Sequence, residues 1–337
     1  MKRNVLTSLL ALVTLAALAL TVEAQTRRAA AAAQAPAAQA LPLPASDAVL
    51  VVEMRRLLTE AVPRALGGDA ARAAQVNADI EQFKARTGID ARAFETVAVG
   101  SRIRRLDSGA TKLDHVVAVA RGTFDPAAIV AAGRAAAGGG YSARPHGGKT
   151  VHVFGINDQL KLFGLLKLRV SELAVAPLDT NTLAVGEPEA VRAAVDAQAG
   201  RGRADASLLN PPRGPNDLIA FAGNVAPSAF AGIDVGLPEV NKSLASIRGF
   251  RGTLGTTPTG FLMTTVLRST SAPDAQRLGQ TAEALRTVAP GLISMAGERG
   301  RMAKAAIESL QITTQGAEVQ LRVELAQGDL ASLLRSL

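Results

Sequence analysis

Apolar and polar positions along this chain fall into short runs whose order occurs twice. Asp47–Glu53 is apolar for the length of one strand, and Asp217–Gly223 repeats the pattern after a second Pro-bearing stretch. Behind the first run the spacing predicts a strand over Ala48–Glu53 and a helical pattern at Leu57, Leu58, Ala61 and Val62, interrupted by Pro63. A helix over Asp69–Thr87 follows, with Val76, Ile80 and Phe83 on one face and Gly88 as its stop. Thr96–Ile103 and His115–Arg121 are short β-like runs. Asp125-Pro126 starts a helix, since Asp accepts the orphan N–H groups and Pro suits the first helical position. That helix ends at Gly138–Gly140. Tyr141–His146 and Lys149–Phe154 form a hairpin around Gly147-Gly148. Leu173–Pro177 and Thr182–Gly186 form another strand pair, and Glu187-Pro188 opens a closing helix with Val191, Ala194 and Val195 inward.

The second half repeats this order. A strand over Asp217–Val225 leads to a weakly helical Leu237–Ile247, then to the strand pair Arg248–Gly255 and Phe261–Arg268. Ser271-Ala272-Pro273 starts a helix. Ile307–Thr313 and Glu318–Leu325 form a hairpin over Gln315-Gly316, and Leu330, Leu333, Leu334 and Leu337 line a last helix. The expected fold class is α+β: two similar β-α-β-β-α-β-β-α units, largely antiparallel, with helices packed on one face. The units are 47–203 and 217–337. Residues 204–216 join them, within a Gly-, Pro- and Arg-rich stretch expected to sustain neither a helix nor a central strand.

Residues 1–24 read as a secretory signal. Lys2 and Arg3 precede an apolar stretch, and Val22-Glu23-Ala24 fits a cleavage site. An uncleaved anchor is the alternative, because the apolar run approaches the roughly 18 residues needed to span a bilayer. No Cys follows, which excludes a lipoprotein anchor. Residues 25–46 have low complexity and no periodic apolar face, so they are expected to form a flexible tether.

Composition changes this picture little. The chain is Ala-rich, aromatics are 3%, Trp and Cys are absent, and Tyr141 is the single tyrosine. The net charge is +8, with Arg supplying 29 of the 37 basic residues. A basic balance can mark a polyanionic partner. A GC-rich genome also writes Ala- and Arg-rich chains, and blocks of five or more like charges do not occur. Nucleic acid is not expected as a partner, because neither aromatic platforms nor a basic recognition helix appear.

Candidate chemistry is sparse. Ala143–Thr150 is one residue short of a phosphate-binding loop, but Thr150–Phe154 alternates like a strand where that loop needs a helix, so no nucleotide is expected. His115, His146 and His152 are the only histidines. A two-residue turn at Gly147-Gly148 would pair 146 with 149 and 152 with 143, too divergent for His146 and His152 to share an ion. No metal or cofactor is expected. Carboxylates such as Asp79, Glu81, Asp107 and Asp114 read as solvated charges, and no nucleophile elbow or catalytic residue is identified. Gly249, Gly252 and Gly255 have the wrong spacing for a dinucleotide site and read as backbone accommodation.

The stretch that stands apart is Leu160–Val170. Its even positions are apolar at 160, 162, 166, 168 and 170, while 161, 167 and 169 are basic. It reads as one strand, either with a core face or as an apolar-cationic contact surface of Leu160, Lys161, Leu162, Phe163, Leu166, Lys167 and Arg169 for an anionic lipid or a partner's edge.

The strand at Asp47, Thr87–Asp90, Arg121–Asp125 and Leu178–Gly186 running into its helix together resemble exported bacterial proteins built from repeated α+β modules. The resemblance implies an envelope location and no known catalytic residues. The expected function is therefore that of a non-enzymatic periplasmic or secreted protein that binds or scaffolds an envelope component: an anionic lipid, a polymer or another envelope protein. A carrier of a small apolar ligand or lipid, and an enzyme of unrecognised class, are the alternatives.

Overall fold

The computed structural model describes residues 41–66, 69–105, 111–137, 140–155, 159–162, 166–169, 172–227, 237–293 and 306–328. The expected signal, residues 25–40 and the expected last helix at 330–337 lie outside the described residues. The fold is α+β, and every strand pairing within its units is antiparallel. The described residues divide into two compact units, one drawn from within 34–102 and 113–210, the other from within 103–112 and 211–337.

In the first unit, β1 (Ala48–Val52) is followed by a helical segment over 54–66. Pro63 does not end it. The turn before the proline widens to π geometry over Leu57–Ala61, with the Val62 N–H donating to Leu57 O, which makes room where a proline ring would clash. The helix Ala70–Thr87 is capped by the Asp69 side chain, which accepts from Arg72 N, and ends at Gly88 with φ +72°. β2 (Phe94–Arg105) and β3 (Thr111–Gly122) lead to the helix Pro126–Ala137. Asp125 Oδ1 accepts from Ala127 N at its start. Then come β4 (Tyr141–His146), β5 (Lys149–Gly155), β6 (Gln159–Leu162), β7 (Leu166–Arg169), β8 (Glu172–Pro177), β9 (Thr182–Gly186) and the helix Pro188–Gln198. That last helix buries Ala190, Val191, Ala194, Val195 and Ala197.

In the second unit, β10 (Asp217–Asn224), the helix Pro238–Ala245, β11 (Ile247–Thr256), β12 (Gly260–Ser269), the helix Ala272–Ile293, β13 (Gln311–Gln315) and β14 (Glu318–Ala326) follow in order. Ser271 Oγ caps the long helix by accepting from Asp274 N. Val319, Leu321 and Val323 alternate inward along β14 and join Ala275 and Leu278 of that helix in one core cluster. β13 starts at Gln311, later than the expected Ile307, because 306–308 is helical.

The strands of the first unit run β1-β2-β3-β9-β8-β5-β4, and those of the second β10-β11-β12-β14-β13. The second order matches the first five positions of the first. Beyond β-α-β-β-α-β-β-α the first unit adds two hairpins: β4–β5, outside β8, and β6–β7, in a two-stranded sheet of its own. By sheet position it is β8–β9, not the Gly147-Gly148 hairpin, that corresponds to β13–β14.

Two segments expected to be connectors are packed. Leu43 is fully buried and Leu41 nearly so. Ala45 N donates to Gly202 O, Ala204 N donates to Leu43 O, and Pro44 bridges Arg203 antiparallel. The tether reading is therefore overturned for residues 41–46. Prolines 42 and 44 hold the chain extended at little entropic cost, so a run with no helical period still buries its leucines. The stretch after 203 also forms structure: Asp205 caps a one-turn helix, Ala206–Leu209, by accepting from Ser207 N, and this turn buries Leu208 and Leu209.

Candidate contact surface

The run Leu160–Val170 is not one strand. It forms a hairpin, β6 against β7, in a two-stranded sheet of its own. The register pairs Gln159 with Arg169, Leu160 with Leu168, Lys161 with Lys167 and Leu162 with Leu166. These pairs set leucine opposite leucine at 160/168 and 162/166, and polar or basic residues opposite one another at 159/169 and 161/167. Phe163, the remaining member of the expected contact surface, lies outside the described residues.

Lys161 and Lys167 stand directly opposite one another, a like-charge pairing that weakens a hairpin by itself. A two-stranded hairpin is at best marginal in water.

The histidines of the β4–β5 hairpin go to separate partners. The register pairs His146 with Lys149 and Ala143 with His152, as the spacing predicts. Gly147 and Gly148 both take positive φ, +56° and +77°, so the run resembling a phosphate loop is a tight hairpin turn followed by a strand. His152 Nδ1 shares a hydrogen bond of 2.8 Å with the Tyr141 hydroxyl. The Arg134 guanidinium lies 4.8 Å from the Tyr141 ring centroid. Burial, and then the Arg134 charge, push the His152 imidazole below its usual value.

His146 Nε2 lies 3.0 Å from Asp196 Oδ2, and Arg201 bonds to the other carboxylate oxygen. These contacts clamp the hairpin tip to the end of the helix Pro188–Gln198. The hydrogen bond from Arg201, then that from His146, hold the Asp196 carboxyl below the usual carboxylate range. A depressed folded value stabilises fully above the unfolded value of about 4 and loses that contribution as pH falls through the folded one. The melting-temperature gap between wild type and Asp196→Asn should thus be open at pH 5 and close toward pH 2. A gap that widens in acid would contradict the clamp.

The glycines of β11 touch protein backbone and side chains. A Cβ on Gly255 would stand 2.6 Å from Asp217 Oδ1, and one on Gly249 3.0 Å from Gly223 O. One further arrangement, Asp114 and His115 of β3 with Glu187, was invisible in the sequence because 72 residues separate His115 from Glu187.

Among the described residues, no helix is long and apolar enough to cross a membrane. No family model and no curated protein matches the chain. Among solved structures the chain is similar to crystal form I of TP0453, with 11% identity over 89% of this chain and 98% of that chain, at a TM-score of 0.41. Form III of TP0453 gives 12% identity, 88% and 98% coverage and the same TM-score, a level of similarity from which we argue neither fold nor activity.

Proposed function

We propose that this chain is a non-enzymatic exported protein, periplasmic or secreted, that binds the envelope through the β6–β7 hairpin, and that an anionic lipid surface is the component it meets. The observation that supports the reading is the hairpin register, which pairs leucine with leucine and Lys161 with Lys167. An interface that takes up apolar residues while supplying phosphate charge suits a ribbon in which leucines alternate with basic residues. Anionic headgroups would also offset the Lys161–Lys167 repulsion.

Each basic residue near an anionic surface contributes about 1 kcal/mol, so three contribute about 3, or roughly a hundredfold in partitioning. The triple change Lys161→Gln, Lys167→Gln, Arg169→Gln should therefore lower binding to phosphatidylglycerol vesicles by about that factor at low salt, with little effect on melting temperature. Wild-type binding should weaken as salt rises and be poor on phosphatidylcholine alone. Vesicle binding unchanged in the triple variant would overturn the reading. So would a loss of about 2–5 kcal/mol of stability in Leu162→Ala with vesicle binding intact, because the leucine face would then belong to a core.

A further inference from the structure

The backbone of β3 turns left-handed at His115, with φ +53°, where every other positive φ among the described residues is a glycine. Non-glycine residues seldom adopt that conformation, least of all inside a strand. Its consequence is geometric. In a regular strand Asp114 and His115 would face opposite sides. The left-handed step breaks the alternation and brings Asp114 Oδ1 to 4.0 Å from His115 Nδ1.

Glu187 closes the third side. It directly precedes the helix Pro188–Gln198, and its carboxylate accepts from His115 N at 3.2 Å and from Val116 N at 3.3 Å. Gly186 permits this approach, since a Cβ there would stand 2.3 Å from Val116 O. One donor atom each from Asp114, His115 and Glu187 lies within 4.8 Å of the other two.

We propose that Asp114, His115 and Glu187 form a binding site for a divalent first-row cation of the zinc class. The donor set is one imidazole nitrogen and two carboxylates. Nitrogen disfavours calcium and magnesium, which take oxygen donors, and suits zinc and its neighbours. Donors bind zinc at about 2.0–2.2 Å, so two on one ion stand roughly 3–3.5 Å apart. The Asp114 and His115 donors, 4.0 Å apart, need to close by about 0.5–1 Å, and no pair in the set by more than about 2 Å. Each carboxylate oxygen of Glu187 has a second lone pair, so it can ligate while keeping its backbone hydrogen bond. Those backbone bonds fix the carboxylate as outer-shell partners fix metal-ligating groups. The His115 side chain is 47% exposed and that of Asp114 15%, which leaves an entry path for the ion and room for water at the remaining positions.

The test is calorimetric titration of zinc chloride into the chelator-treated chain. One site per chain is expected. His115→Gly removes the imidazole, and glycine takes φ +53° without strain, so this variant keeps or raises the melting temperature. Its zinc affinity should fall by at least about tenfold, the loss that even outer-shell changes can cause. Asp114→Asn should weaken binding as well, while His146→Ala and His152→Ala leave it unchanged. Wild type without a zinc site, binding undiminished in His115→Gly, or binding lost in the His146 or His152 variants instead would each overturn the proposal.

Discussion

Leu43→Ala will destabilise the protein by about 2–5 kcal/mol, the usual cost of emptying a fully buried leucine site. For a unit of this size that corresponds to a fall in melting temperature of about 5–15 °C. The expectation rests on more than burial. Leu43 O accepts from Ala204 N, and the segment is tied again through Ala45 and Gly202 and through Asp47 N to Ser101 O. Ser46 Oγ would be 2.5 Å from a Cβ on Gly100, so the segment also lies tightly against β2. A chain truncated to begin at Asp47 loses the leucine and the hydrogen bonds of Leu43 and Ala45 together and should melt at least as low. Thermal unfolding followed by circular dichroism reads both. If either variant melts within a degree of wild type, residues 41–46 contribute nothing to the first unit.

This segment shows where the sequence misleads. Leu-Pro-Leu-Pro has neither a helical nor a strand period, and it sits beside an Ala/Gln run that resembles a linker. What decides its fate is pairing with 202–204, about 160 residues away, and local pattern carries no trace of that partner. Elements governed by local chemistry were legible: the Gly88 stop, the Asp125-Pro126 start and the Gly147-Gly148 turn all stand where their residues place them.

The contact surface was legible in part, for a reason of register. β6 and β7 pair even-numbered residues with even-numbered ones, as Leu162 with Leu166 and Leu160 with Leu168. The sequence alternation therefore keeps one phase across both strands, and periodicity alone cannot distinguish one long strand from a hairpin. In β4–β5 the pairs are odd with even, the phase breaks, and the two glycines mark the place. The Asp114–His115–Glu187 arrangement depends on a backbone φ and a distant helix start, and neither leaves a motif.

Gly252→Ala is expected to cost about 1–3 kcal/mol or more, as overpacking does where the surroundings cannot yield. Gly252 lies in β11 between Phe221 of β10 and Thr265 of β12. A Cβ there would stand 2.0 Å from Thr264 O and 2.5 Å from Phe221 Cζ. The two obstacles differ in kind. The phenyl ring, which also packs 6.3 Å from the Phe250 ring, can rotate or be shortened. The carbonyl belongs to the neighbouring strand and moves only if the β11–β12 pairing opens. Combining Gly252→Ala with Phe221→Leu separates them, since residues in contact couple by about 0.5–3 kcal/mol. If the backbone dominates, Gly252→Ala keeps more than half its cost in the Phe221→Leu background. If the ring dominates, most of the cost disappears there. Urea unfolding of the four proteins supplies the cycle, and a Gly252→Ala chain within about 0.5 kcal/mol of wild type would show that the strand pair accommodates a methyl group after all.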